Sequence, residues 1–402
     1  MLQANRSTLT NGSAVEVFIV FLKLGLTSFG GPIAHIGYFR KALVEQRGWV
    51  NDHQFGQLLA ICQFLPGPAS SQLGFSLGLI RAGWLGAVSA FLAFTLPSVI
   101  LLVSFVFLLT FISSTTNDVL IHGLKIVAFA VVADGVLGMS KNLCPDKISA
   151  TIATLAIAIL LLLDSAFTQI LIIIAGGLAG TIFYHEKANI DDITIPVNYS
   201  VLTAWVCLLV FFVLLFGLPL LVGESVNGFS IANTFYQAGS LVFGGGHVVM
   251  PLLEDSVVTS GWVSKESFLA GYGASQAIPG PMFAFSAYLG AIIPNSEVIL
   301  LSVIIAVLFI FLPGFLLVTA ALPLWGFVAG NPIATRAIAG ANAAVVGLLG
   351  AALYDPVFTS AIKNGSDLAI GIIAFTLLAV WRVSPLLVVV WCVGASLIKT
   401  YI

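Results

Sequence analysis

Polar residues in this chain gather between long apolar runs, which cover 83–109, 121–139, 151–163, 167–183, 201–222, 298–324, 338–353, 368–380 and 386–398. Several exceed the roughly 20 residues that cross a bilayer as helix, and the shorter ones extend into polar flanks. The pattern predicts an all-α polytopic membrane protein. Composition agrees, with 59% hydrophobic and only 8% charged residues and a mean hydropathy of +1.10. So few charges cannot cover a water-facing surface.

The chain repeats itself. Phe29-Gly30-Gly31 returns as Phe243-Gly244-Gly245. Gly48-Trp49-Val50 returns as Gly261-Trp262-Val263, Phe55 as Phe268, Gln63 as Gln276 and Pro66-Gly67-Pro68 as Pro279-Gly280-Pro281, all at one constant offset. Downstream, Pro97 and Pro313 are expected to interrupt long apolar helices, and Gly123 and Gly340 open similar Ala/Val-rich segments. The organisation read from this is a first repeat over 1–184, a linker with one unpaired transmembrane helix over 185–230, and a second repeat over 231–402.

An unpaired span inverts whatever follows it, and the positive charges test the idea. If 15–47 and 53–79 each dip in and return as re-entrant, glycine- or proline-broken helices followed by four crossings, Arg6, Arg40, Lys41, Arg47, Arg81, Lys141, Lys147 and Lys187 share one face. With the second repeat inverted, Arg336 and Arg382 join them, while Lys265, Lys363 and Lys399 fall opposite with Glu254, Asp255, Glu266, Glu297, Asp355 and Asp367. The expectation is two inverted-topology repeats and a cytoplasmic N-terminus. A topology in which each broken segment crosses fully stays open. No cleaved signal is expected in the polar stretch 1–14.

The breaks carry the candidate chemistry. At membrane depth a helix is interrupted only where protein or water satisfies the freed backbone. Gly30-Gly31-Pro32, Gly244-Gly245-Gly246 and the two Pro-Gly-Pro turns remove helix propensity inside apolar sequence. Four half-helix ends converging would present amide N–H groups to an anion. Ser70 and Ser71 could add hydroxyl donors, and Gln63 and Gln276 could orient the turns or touch ligand. A single such motif is more often a kink or packing notch, but two matched pairs favour a site. Lys23, before the first break, could supply fixed positive charge or snorkel to an interface. His35 and His247 follow the two breaks and could titrate or merely bond to local backbone. Asp134, inside an apolar run, is the candidate proton carrier, with a satisfied packing role as the alternative. The basic stretch 38–47 reads as a membrane-surface segment, with Arg40 and Lys41 placed to attract an anion.

Phe29-Gly30-Gly31-Pro32-Ile33-Ala34-His35-Ile36-Gly37, Gln63-Phe64-Leu65-Pro66-Gly67-Pro68-Ala69-Ser70-Ser71-Gln72 and their second-half counterparts Phe243-Gly244-Gly245-Gly246-His247 and Gln276-Ala277-Ile278-Pro279-Gly280-Pro281 resemble the chromate ion transporter family in its long two-domain form. The resemblance implies a multi-pass secondary transporter of the bacterial inner membrane that exports chromate with the proton-motive force, sulfate being a similar tetrahedral dianion. The partners it implies are chromate, the bilayer and, as an open alternative, a second copy of the chain. A sulfate or other anion exchanger fits the same breaks.

Other classes fit less well. The net charge of −2 and lack of a basic tract give no nucleic-acid signal. Cys62, Cys144, Cys207 and Cys392 are scattered and form no CxxC pair, so neither a disulfide framework nor a metal site is read, and no cofactor is expected. The chain shows no HExxH pair, nucleophile with its base, or phosphate-binding loop, which argues against an enzyme or an ATP-driven pump. A scaffold would not require four matched breaks.

Overall fold

A computed structural model describes all residues except 1–11, 30, 112–113, 164–165, 185–196, 198, 224–225, 243–248, 295–297, 330 and 402. The described residues are helical, with no strand among them. In chain order the helices are α1 (Ala14–Thr27), α2 (Gly31–Phe39), α3 (Asp52–Phe64), α4 (Ala69–Phe111), α5 (Ser114–Leu143), α6 (Lys147–Leu162), α7 (Ala166–Phe183), α8 (Val201–Gly217), α9 (Gly228–Leu241), α10 (Val249–Glu254), α11 (Lys265–Ser275), α12 (Phe285–Ile292), α13 (Ile299–Ala329), α14 (Pro332–Ala352), α15 (Gly365–Ala379) and α16 (Pro385–Tyr401). The order of elements before α8 recurs after it. Even a π-helical turn closing α2 (Arg40–Glu45) reappears closing α10 (Asp255–Thr259).

Short polar caps set the starts. Asn51 caps α3 with Gln54 reaching back, Asp146 and Ser149 do the same for α6, and Asn227 and Ser230 for α9. At about 1.5 Å per residue, the 14-residue α1 is roughly 21 Å long, short of the ~30 Å hydrocarbon core. Among the described residues, five helices are long and apolar enough to cross: Ala69–Leu109, Asp118–Leu143, Val201–Leu221, Ile299–Trp325 and Pro332–Ala361. The first is bent, because Ala82 (φ −142°, ψ 26°) and Gly83 (φ 64°, ψ −156°) leave the helix. A Cβ on Gly78 would lie 2.5 Å from the Gly86 carbonyl, so the two arms of α4 fold back on each other. The second arm begins where the apolar run 83–109 begins. In the second repeat α12 and α13 make the same hairpin, Gly290 lying against Ser302 and Val303.

Pro97 and Pro313 do not interrupt their helices, contrary to the sequence expectation. α4 and α13 continue through them. The space around carbonyls one turn earlier is filled instead by backbone, since a Cβ on Gly25 would lie 2.7 Å from the Phe94 oxygen and one on Gly239 would overlap the Ile310 oxygen. Glycine on the short first helix lets it press against the proline-bearing helix.

The repeats exchange partners. α5 of the first packs against α11, α15 and α16 of the second, while α14 of the second packs against α6 and α7 of the first. The unpaired α8 lies against α9 and α13. A buried ion cluster fastens one exchange. Asp367, fully buried at the start of α15, accepts from Lys399 Nζ (2.8 Å) on α16 and from the Lys363 backbone N–H (3.1 Å), and lies 3.0 Å from His122 Nε2 on α5. Removing one member of a buried pair costs roughly 3–5 kcal/mol, and the partial exposure of Lys399 and His122 reduces this to about 2 kcal/mol. Asp367→Ala is therefore expected to lower the thermal midpoint of the purified protein by several degrees, read as loss of monodisperse protein on heating. An unchanged midpoint would show that the cluster is solvated in the bilayer-embedded state.

Candidate functional site

The two Pro-Gly-Pro turns are where the repeats meet. The Gly67 N–H donates to the carbonyl of Val242, which caps α9, at 2.7 Å, and the Gly280 N–H donates to the carbonyl of Ser28, which caps α1, at 2.9 Å. Each turn thus closes on the end of the other repeat's broken first helix. Proline removes the neighbouring donors, and the central glycines sit at φ 119° and 100°, a region closed to residues with a Cβ.

Each turn also rests on the proline-bearing helix of the other repeat. The Pro66 carbonyl accepts from Gln72 Nε2 (3.0 Å), whose second N–H reaches the Gly314 carbonyl (3.0 Å). The Pro279 carbonyl accepts from Ser98 Oγ at 2.7 Å. Ser98 and Gly314 each follow the proline of their helix, so the two crossings are counterparts. The sequence reading expected the amides of the breaks to be free for an anion. For Gly67 and Gly280 the correction is that these N–H groups join the repeats, because a buried donor without water takes the nearest carbonyl.

The predicted residues divide as follows. Pro66, Gly67 and Pro68 form the first crossing, and Pro279, Gly280 and Pro281, all buried, form the second. His35 is buried on α2 with its Nδ1 3.4 Å from Ser70 Oγ and its ring edge-on to Phe94 at 5.4 Å. Ser70 and Ser71 are buried in the first turn of α4. Gln276 is buried but bonds its own helix, through Tyr272 O (3.5 Å) and Ser275 Oγ (3.3 Å). Gln63 is exposed, so the glutamine that braces the first turn is Gln72 instead. Lys23 lies on the exposed stripe of α1 with Ile19 and Leu26, away from the packed face made by Val17, Val20, Phe21 and Leu24. Asp134 is half-buried on α5, with Arg382 and Lys141 as its charged neighbours. Gly31 and Pro32 open α2, while Gly30, Gly244, Gly245, Gly246 and His247 lie outside the described residues.

Arg40, expected to gather anions, is already paired with Glu45 and with Asp52 at 2.8 Å, whereas Lys41 is exposed. Nearby, Arg81 bonds Glu16 at 3.2 Å and lies over the Trp49 ring, tying the start of α1 to the end of the first α4 arm. Among the described residues no group of His, Cys, Asp and Glu is arranged to hold a metal ion.

Three polar residues escaped sequence reasoning. Ser28 and Thr95 are buried with hydroxyls lacking a hydrogen-bond partner among the described residues, as are Ser71 Oγ and His35 Nε2. Ser98 is the third, already bonded to the second turn. Their only sequence signal is a lone hydroxyl within apolar helix, next to a break or a proline.

The chromate transporter family model matches residues 15–181 and again 229–397, one match per repeat. A probable chromate transport protein of Synechococcus elongatus is 27% identical over 394 residues, covering 92% of both chains. The chromate transport protein of Pseudomonas aeruginosa is 27% identical over 347 residues, covering 85% of this chain and 80% of that one. An uncharacterized transporter of Methanocaldococcus jannaschii is also 27% identical, over 349 residues, 84% of this chain and 83% of its own. No solved structure matches the chain. With both repeats matched by one model, the chain belongs to the chromate transporter family.

Proposed function

We propose that this protein is a secondary transporter that exports chromate across the bacterial inner membrane, driven by the proton-motive force, with its oxyanion site at the broken helices. The observation that carries the mechanism is the reciprocal pair of bonds from Gly67 to Val242 and from Gly280 to Ser28. Two equivalent contacts, one per repeat, form a crossing about which either repeat can rock, so that a site beside them opens to one face at a time. Chromate as the cargo rests on the relatives and the family.

The repeat units are 1–184 and 231–402, oppositely oriented, with 185–230 supplying the inverting helix. The charge pairs support this reading. His122 at the start of α5 meets Asp367, and Lys265 meets Asp355 just beyond the end of α14, whereas Lys141 near the end of α5 neighbours Arg382 through Asp134. These pairs support counterpart helices α5 and α14 that run in opposite directions. The basic face carrying Arg40, Lys41, Arg81 and Lys141 is assigned to the cytoplasm, with the N-terminus.

Export is tested in everted membrane vesicles energised to carry a proton gradient. Vesicles with the protein should accumulate chromate several-fold above vector controls, and a protonophore should abolish the difference. Sulfate uptake without chromate uptake would move the assignment to a sulfate transporter. Asp134 is the proposed proton carrier. Asp134→Asn at normal membrane levels should flatten the pH dependence of export, and a wild-type profile would leave Asp134 as a structural partner of Arg382.

A further inference from the structure

The internal duplication invites a count of sites, and the two repeats differ where it matters. At the end of α1, Ser28 keeps a buried hydroxyl with no partner among the described residues, and its backbone carbonyl lies beside the His35 imidazole. His35 is 1% exposed. Its Nδ1 faces Ser70 Oγ, so a hydroxyl donating there leaves the proton on Nε2, which has no partner among the described residues. Ser70 and Ser71 sit in the first turn of α4, where backbone N–H groups are not used by the helix, and the Ser71 hydroxyl is again unpartnered. The arms of α4 run antiparallel from the Gly78–Gly86 contact, which brings Thr95, with its own unpartnered hydroxyl, back to the level of Ser71. His35 and the first turn of α4 therefore meet near the buried Ser28, Ser71 and Thr95 hydroxyls, which have no partner among the described residues, with the Ser28 carbonyl as the acceptor beside the imidazole. An unsatisfied buried donor is destabilising, and several beside a helix N-terminus describe a place that is completed by an anion.

Among the described residues, the counterpart positions of the second repeat carry none of these donors, although Ser286, three residues beyond Phe283, keeps a buried hydroxyl without a partner, and His247 lies outside the described residues. At the offset of Phe-Gly-Gly, Ser28 corresponds to Val242 and His35 to Val249. At the offset of Pro-Gly-Pro, Ser70 and Ser71 correspond to Phe283 and Ala284, and at the offset of the two helix prolines Thr95 corresponds to Phe311. All five counterparts are buried, and the rings of Phe283 and Phe311 lie 5.8 Å apart. Every donor of the first repeat is replaced by an apolar group that fills space.

We propose that the chain carries one tetrahedral-oxyanion site, built on the first repeat by His35, Ser28, Ser70, Ser71 and Thr95, and that the pseudo-equivalent position in the second repeat is an apolar plug. The proposal rests on the reading of the protein as an oxyanion transporter and narrows its site. Neutral donors suit a dianion such as chromate or sulfate, because each oxygen accepts a fixed hydrogen bond without a permanent countercharge that would hold the cargo too tightly.

The test is isothermal titration of the purified full-length protein with sulfate and with chromate, beside transport of both in proteoliposomes. One anion should bind per chain. His35→Ala and Ser71→Ala should each weaken binding about tenfold or more, with His35→Gln, which keeps an N–H donor, recovering much of the loss. Val249→Ala and Ala284→Ser, at the plugged position, should stay within twofold of wild type. Thermal midpoints separate lost donors from lost fold: a variant that weakens binding only by unfolding counts against the assignment. Two anions per chain, wild-type binding by His35→Ala and Ser71→Ala, or equal weakening by Val249→Ala would overturn the single site while leaving the transport function standing. Wild-type protein that neither binds nor moves either anion would remove both.

Discussion

Replacing Gly280 with alanine is expected to abolish transport and to deplete the protein from the membrane. The backbone there holds φ at 100°, and a Cβ would run into Ser98 Oγ while lying 3.2 Å from the Phe94 carbonyl. Backbone strain alone costs about 1–3 kcal/mol. The overlap adds to it, because Ser98 cannot turn away without losing its bond to the Pro279 carbonyl. The strained turn would also pull the Gly280 N–H from Ser28, the bond that joins this repeat to the other. Gly67→Ala should behave similarly, with its Cβ 2.9 Å from the Gly314 Cα. Gly261→Ala is the control for strain without collision: its φ is 74°, but nothing lies within 4 Å of the added carbon. Membrane abundance and vesicle uptake should rank Gly261→Ala well above Gly280→Ala. Equal behaviour of the two would show that the crossing tolerates separation.

The same residues show what sequence conveys and what it withholds. Duplication was legible because the turns depend on side-chain identity: only glycine reaches the φ of Gly67 and Gly280, and only proline withholds its own amide. The partner of each turn was not legible. The bonds from Gly67 to Val242 and from Gly280 to Ser28 join backbone to backbone, and a carbonyl acceptor leaves no trace in residue type. Lys23 was placed near the site by its distance along the chain, yet its side depends on the rotation of α1, which sets it beside Ile19 and Leu26. Asp134 looked isolated because Arg382 is supplied by a distant loop. The exchange of α5 and α14 between repeats was equally hidden. In a bilayer a helix face that meets another helix can be as apolar as one that meets lipid, and only the small residues distinguish it.

Those small residues make the second large prediction. α7 and α14 cross where Gly176 and Gly180 on one face Gly340 and Ala344 on the other. A Cβ on Gly340 would overlap the Gly176 carbonyl and come within 2.7 Å of the Gly180 Cα, and one on Gly180 would overlap the Arg336 carbonyl. All of these are backbone atoms, so no side-chain rotation relieves the overlap. Gly340→Leu should therefore cost more than the ~1–3 kcal/mol usual for one oversized interior side chain, because the two helices must separate along their whole contact. α14 is the helix that the second repeat sends into the first, so the damage spreads beyond one crossing to the attachment of the repeats. Gly138→Leu on α5, where nothing lies within 4 Å of the added carbon, removes a glycine from a comparable apolar helix without a collision. The expected result is aggregated or degraded Gly340→Leu protein beside monodisperse Gly138→Leu protein on size-exclusion chromatography in mild detergent. If Gly340→Leu instead remains monodisperse and transports normally, α7 and α14 are not pressed together at this crossing, and the exchange of α14 between repeats loses its main contact.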